Sequence, residues 1–202
     1  MGYKGNIFLK FDCLRNIIYL YKTIMNPHID IILGSMYSGK STELLRRLSR
    51  YDAIDQHTLL INHTYDTRTG ESVKTHSNMV KDAIKIDSLM KLLDMDVFKK
   101  SFVIGIDEAQ FFPDLLEFVK YCEKNKTVII SGLDGDYNRE PFGQILLCIP
   151  LCDSVVKLTA MDMISKDGTP GIFTKRICEN NEQILIGSNE HYVSVSRKNY
   201  FI

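Results

Sequence analysis

The eight residues from Gly34 to Ser41, Gly-Ser-Met-Tyr-Ser-Gly-Lys-Ser, constrain this chain more than any other stretch. They match G-x-x-x-x-G-K-[ST], and the flanking residues supply the setting that such a loop needs. A continuous apolar, β-branched run over residues 29–33 leads in, and the helix-forming Thr-Glu-Leu-Leu-Arg-Arg-Leu leads out. A strand, a glycine-bounded loop and a helix in that order present backbone N–H groups at a helix N-terminus, where the dipole favours negative charge. Gly34 and Gly39 let the backbone wrap closely, and with Ser35, Met36, Tyr37 and Ser38 they form a cradle for phosphate oxygens. Lys40 reaches the β- and γ-phosphates, and the Ser41 hydroxyl ligates Mg²⁺. The competing reading is a glycine-bounded surface turn with a solvated lysine.

Away from the loop, apolar runs and amphipathic segments alternate. The spacing predicts helices over 41–51, 88–98 and 115–124, the last after Pro113, and strands over 58–61, 102–106 and 127–133. Strands written as solid apolar runs between helices imply a mostly parallel sheet covered on both faces. The expected class is α/β, a P-loop NTPase-like sheet with helices on both sides. After about Leu158 the composition shifts to a breaker cluster at 166–171 and short β-like pieces around 172–173, 183–186 and 192–195. Three parts are therefore expected: an N-terminal extension at 1–26, a nucleotide-binding domain at 27–157 and a small β-rich domain at 158–202. Met25, directly before Asn-Pro-His, is a candidate start in its own right.

Composition narrows the partners. Lys plus Arg number 25 against 25 Asp plus Glu, whereas proteins that read nucleic acid through its phosphates ordinarily carry a basic surplus. No nucleic-acid partner is expected. The five cysteines, Cys13, Cys122, Cys148, Cys152 and Cys178, are odd in number and scattered, with no C-x-x-C. Disulfide frameworks and zinc ribbons need paired spacing, so reduced thiols are expected, with Cys148 and Cys152 packed in the core beside the apolar run 145–151. No stretch approaches the roughly 20 apolar residues of a membrane span, and the N-terminus lacks the features of a signal peptide. The expectation is a soluble protein of the cytoplasm with no membrane partner.

The second half of the site is Val-Ile-Gly-Ile-Asp107-Glu108. An acid at the end of a buried strand projects at the carboxyl edge of the sheet, where open α/β folds bind ligands. Asp107 can hold Mg²⁺ directly or through water, and Glu108, facing differently, can reach a nucleophile. The alternative for Glu108 is a helix N-terminal carboxylate. Guanine recognition is disfavoured, since Asn125-Lys126-Thr127-Val128 lacks the acid of N-K-x-D, and a helicase-type motor would need a second large domain and a basic track.

These blocks, in order, resemble the thymidine kinases of the cellular and poxviral kind, over about residues 25–201. The family's G-P-M-F-[SA]-G-K-[ST]-[ST]-E-L is similar to residues 34–44; its D-x-R and T-H to Asp66-Thr67-Arg68 and Thr75-His76; its D-E-G-Q-F-F-P-D to residues 107–114. Its A-L-D-G-x-[FY]-x-R-x-P-F is similar to residues 132–142, V-x-K-L-T-A to 155–160 and F-[ST]-K-R to 173–176. The short segment Met25-Asn-Pro-His-Ile makes the poxviral members the nearest kind. The resemblance implies transfer of the γ-phosphate of ATP, with Mg²⁺, to the 5′-hydroxyl of deoxythymidine, Glu108 acting as general base. It implies that Lys40 and Arg68 are the cationic groups, that Asp66, Arg68 and Gln110 belong to the nucleotide site, and that Met36, Phe111, Leu133, Tyr137 and Phe142 line the base pocket. A lasso segment matching Gln183, Ile184, Leu185, Ile186 and Gly187, with Tyr192, would cross the base, and a homotetramer is implied, in the host cytoplasm if the chain is viral. As bare residues, Arg68 has an ordinary solvated arginine as its alternative reading, and aromatics at such positions are more often core than ligand shelf.

The departures concern zinc. The family ties its lasso with C-x-x-C after L-T-A and C-R-x-C near the end; this chain has Asp162 and Ser165, then Ser196 and Asn199. Soft thiolates are missing at all four positions, so no structural zinc is expected and the lasso is left to packing and assembly contacts. Ser35 and Ala109 replace a family Pro and Gly. Two other readings stand beside the kinase: a non-catalytic nucleotide-binding relative acting as an interaction or regulatory protein, and a phosphate-loop ATPase without a nucleoside acceptor.

Overall fold

The computed structural model describes residues 26–66, 72–74, 80–179, 182 and 191–202. β1 (Ile29–Gly34) is apolar at nearly every position and buried along almost all its length, which requires cover on both faces. α1 (Lys40–Asp52) supplies one cover: Leu44, Leu45 and Leu48 recur at helical spacing and are buried, while Arg46, Ser49 and Arg50 face solvent. Then come β2 (Thr58–His63), an antiparallel pair β3 (Ser72–Lys74) and β4 (Val80–Asp82), β5 (Ile84–Ile86), β6 (Val103–Ile106), β7 (Thr127–Gly132) and β8 (Ser154–Leu158). Six of these form one sheet in the order β5-β2-β6-β7-β1-β8, every pair parallel. The α/β expectation is borne out.

Strand alternation divides the core between two faces. Ile31, Ile104 and Ile130 join Phe112, Phe118, Leu89 and Leu92 on one side. Ile32, Leu60 and Ile129 join Leu44 and Leu48 under α1 on the other. Successive residues on a strand must point oppositely, so a strand apolar at every position serves both layers.

The single helix expected over 88–98 is instead a 3₁₀ turn at Leu89–Leu92 followed by α2 (Asp96–Lys100). The Asp114 carboxylate accepts from the Ser88 hydroxyl at 2.6 Å and the Met90 N–H at 2.9 Å, pinning the first turn. Met95 is extended, and Asp96 opens the new helix where an acid is favoured. The apolar spacing is real, because Leu89, Leu92 and Phe98 are all buried. α3 (Leu115–Cys122) buries Leu115, Phe118, Val119 and Cys122, one helical face. The cysteines at 122, 148, 152 and 178 are free; Cys148 is buried, Cys152 only half-buried.

Beyond Leu158 the chain makes two short antiparallel pairs, β9 (Ala160–Met161) with β10 (Pro170–Gly171) and β11 (Phe173–Arg176) with β12 (Tyr192–Val195), and ends in α4 (Arg197–Tyr200). The β-like piece at 183–186 lies outside the described residues. No helix among the described residues is long and apolar enough to cross a membrane.

Candidate active site

Because β1, β2, β6 and β7 run parallel, the segments that follow them emerge at one edge of the sheet. The chain passes from β1 to β2 over β7 and β6, and such a switch in strand order opens a crevice at that edge. The loop 34–39 borders it. A Cβ on Gly34 would lie 2.5 Å from the Leu158 carbonyl oxygen and 2.6 Å from Ser38 Oγ, so no larger residue fits there. Lys40 is buried and curls back over the loop, its Nζ donating to the Ser35 carbonyl at 2.8 Å. Ser38 Oγ is buried and has no hydrogen-bond partner among the described residues. An orphaned hydroxyl and a buried ammonium around a glycine-bounded turn fit a phosphate group.

Asp107 follows β6 and is buried. Ser131, on the intervening strand β7, donates to its Oδ1 at 2.9 Å, and the Ser41 hydroxyl also donates to it. Burial and the neighbouring Glu108 charge push its carboxyl up to about 6, against the pull of those hydroxyls. A buried carboxylate whose proton affinity is raised in this way, beside the helix-starting hydroxyl of Ser41, fits a hard divalent cation such as Mg²⁺.

Glu108 is in the left-handed region, φ 50° and ψ 42°. A non-glycine residue there costs of order 1 kcal/mol and persists only where surrounding contacts demand it. Here the contact is Gln110, whose Nε2 donates to Glu108 Oε2 at 2.7 Å while its Oε1 accepts from the Leu133 N–H at 3.0 Å. The buried Gln110 amide, expected at the nucleotide site, thus bridges the Glu108 carboxylate and the Leu133 N–H. Asp66, after β2, is buried and accepts from Asn62 Nδ2 at 2.8 Å; Lys85 donates to its backbone carbonyl. Arg68 lies outside the described residues.

An aromatic wall stands beside the carboxylates. Phe111 meets Phe142 edge-on at 5.6 Å and Tyr65 at 5.8 Å, and His63 packs against Phe112 at 4.8 Å. Asp136 accepts from the N–H groups of Asn138 and Glu140, shaping the turn that carries Tyr137. The Arg176 guanidinium stacks 3.8 Å from the Tyr137 ring centre and donates to the Tyr192 hydroxyl at 2.5 Å. The lasso residues Gln183, Ile184, Leu185, Ile186 and Gly187 lie outside the described residues.

Sequence reasoning missed the contacts that join the C-terminal hairpins to the phosphate loop. Ser35 Oγ donates to the Gly171 carbonyl at 3.0 Å, the Met36 N–H to Thr174 Oγ1 at 3.0 Å and the Tyr37 hydroxyl to the Tyr192 carbonyl at 3.4 Å. Only Ser35, standing where the resemblance expects a Pro, was a usable signal, since it brings a hydroxyl that a Pro lacks.

Comparison with known proteins agrees with this geometry. The family described as "Thymidine kinase" matches residues 27–200. The thymidine kinase of Yaba monkey tumor virus (strain VR587) is 45% identical over 175 residues, covering 86% of this chain and 94% of that protein. The thymidine kinases of raccoon poxvirus and of vaccinia virus (strain Ankara) are 43% and 42% identical over 174 residues, each covering 86% of this chain and 96% of theirs. A match this long at this identity leaves one conclusion: the chain belongs to the thymidine kinase family.

Proposed function

We infer that this chain transfers the γ-phosphoryl group of ATP to the 5′-hydroxyl of deoxythymidine, giving dTMP and ADP. The observation that carries the residue assignment is the strained Glu108, aimed by Gln110 beside the Asp107–Ser41 pair at the mouth of the phosphate loop. Glu108 takes the proton from the 5′-hydroxyl, whose oxygen then attacks the γ-phosphorus as the bond to the β-γ bridging oxygen breaks. The loop N–H groups, Ser38 and Lys40 hold the phosphates; Ser41 and Asp107 would hold Mg²⁺, which when bound neutralises charge on the β- and γ-oxygens. Arg68 belongs to the same proposal as a further cation. The thymine ring is assigned to the wall of Met36, Phe111, Leu133, Tyr137 and Phe142; by the family resemblance Tyr192 and residues 183–187 are assigned to the lasso segment, and residues 158–202 to the lasso domain. A homotetramer of the cytoplasm is part of the proposal; exposed Val155 on the edge strand β8, with exposed Leu147 and Ile149 in the turn before it, supports the assembly.

The test is phosphorylation of deoxythymidine by the purified chain and by Glu108→Gln. Transfer by the wild type and a loss of about 10²–10⁴-fold in kcat in the variant, with ATP binding retained, are expected. Equal rates would remove Glu108 as the base, and no transfer at high wild-type concentration would remove the kinase assignment.

A further inference from the structure

The four positions that the family resemblance assigns to zinc cysteines come together in space, and hydrogen bonds join them. Asp162 Oδ1 accepts from the N–H groups of Ile164 at 2.8 Å and Ser165 at 3.0 Å. Its Oδ2 accepts from the Ser196 N–H at 2.7 Å and from Asn199 Nδ2 at 2.8 Å. The same Asn199 amide donates to Ser165 Oγ at 2.7 Å, and Ser196 Oγ accepts from the Asn199 N–H at 3.4 Å. Asp162, Ser196 and Asn199 are buried.

This set does not fit zinc. A structural zinc takes four lone pairs, usually from thiolates, in a tetrahedron. Both oxygens of the one carboxylate are already engaged by four N–H donors, and Asn199 turns its NH₂ group, not its carbonyl, toward the centre. Beside the packing and assembly contacts expected in place of the metal, a buried polar network occupies these four positions.

We propose that Asp162 is a positioning residue, the hub of a metal-free knot that locks the two C-terminal hairpins together and through them holds the phosphate loop in shape. Asp162 lies one residue past β9 and Ser196 one residue past β12, so the knot ties one hairpin to the other. Ser194 Oγ, donating to the Met161 carbonyl at 2.9 Å, strengthens the same seam. The locked hairpins carry the Gly171 carbonyl, Thr174 Oγ1 and the Tyr192 carbonyl, which meet Ser35, Met36 and Tyr37 in turn. The geometry demands a carboxylate. Asparagine has the same shape, but its NH₂ would face either the Ser196 and Asn199 donors or the Ile164 and Ser165 donors, leaving N–H groups opposed and unsatisfied. Burial pushes the Asp162 carboxyl up, but the hydrogen bonds from Ser196, Ser165 and Ile164 outweigh it and hold the group well below the usual carboxylate range. The part of this inference that concerns the phosphate loop rests on the function proposed above; the knot itself does not.

The experiment is thermal unfolding of the full chain with and without EDTA, with metal analysis, for the wild type, Asp162→Asn and Asn199→Ala, together with KM for ATP and for deoxythymidine well below melting. Expected are a wild-type Tm unmoved by EDTA, no stoichiometric zinc, a fall of roughly 5–10 °C in Tm for Asp162→Asn and about half of that for Asn199→Ala. The ATP KM should rise several-fold in Asp162→Asn and also in Asn199→Ala. One tightly held zinc per chain, a Tm that drops on chelation, or Asp162→Asn with wild-type Tm would overturn the knot. If Asp162→Asn does not fold, Asn199→Ala decides: a wild-type Tm there overturns the knot too. A lowered Tm with an unchanged ATP KM would overturn the positioning of the loop. The unfolding data need no catalysis, so failure of the kinase reading and failure of the knot are read separately.

Discussion

At the scale of single residues the site depends on a few side chains that are held rather than merely present. Glu108 keeps its left-handed backbone because Gln110 grips its carboxylate and is itself gripped by the Leu133 N–H. Removing that amide takes this hold from the carboxylate and leaves the half-buried Leu133 N–H without its acceptor. Gln110→Ala should lower kcat about 10–100-fold with little change in KM for ATP, and cost about 1–2 kcal/mol of stability; steady-state kinetics and urea unfolding check both. Gly143 matters for a different reason. At φ 62° it occupies a conformation that side chains rarely adopt, and a Cβ would lie 2.1 Å from the Gln110 carbonyl oxygen. Gly143→Ala should therefore displace the turn carrying Gln110 and destabilise the protein by more than about 2 kcal/mol, read by urea unfolding. The residue types at 34–41 and 107–108 were legible in the sequence because their chemistry is local. The grip of Gln110 on Leu133 was not, because it joins two strand ends 23 positions apart.

At the scale of elements, legibility followed burial. Strands buried on both faces were written as solid apolar runs and were found where expected, β1, β6 and β7 among them. β8 was missed as a strand because it is the sheet's edge, so Ser154, Val155 and Lys157 are exposed and no clean period survives. The helix expected over 88–98 failed for the opposite reason: its apolar spacing is real, but Asp114, from another part of the chain, fixes a tighter turn. β2 carries a consequence for pH. His63, at its end, is buried among Tyr65, Phe111 and Phe112 and accepts from the Tyr65 N–H at 3.0 Å. Burial holds its proton affinity below the ordinary value of 6.5, against the pull of Asp87 and Asp114. The unfolded chain thus takes up a proton at a higher pH than the native one. His63's share of stability is complete above about pH 6.5 and is lost as pH falls from there toward its lowered native value. Urea midpoints measured at pH 7.5 and 5 should fall less in His63→Gln than in the wild type.

At the scale of the whole molecule, the C-terminal hairpins and the phosphate loop behave as one structure. Thr174 is buried in β11 and its hydroxyl is the acceptor for the Met36 N–H. Thr174→Val keeps the branched shape but removes that acceptor; the expected result is an ATP KM raised about 3–10-fold, with Tm lowered by no more than about 5 °C. Kinetics beside thermal unfolding distinguish this from general destabilisation. By itself, the sequence determined the α/β class, the phosphate loop, the paired acids and the absence of thiols at four lasso positions. Each of these is written in local residue type and spacing, which a strand, a loop and a helix start read directly. Only the tertiary structure decided what fills the place of those thiols, how Glu108 is aimed and which hairpin atoms support the loop. Those are hydrogen bonds between residues up to 155 positions apart, and a directional bond of that kind exists only once the sheet has brought both partners to the same edge.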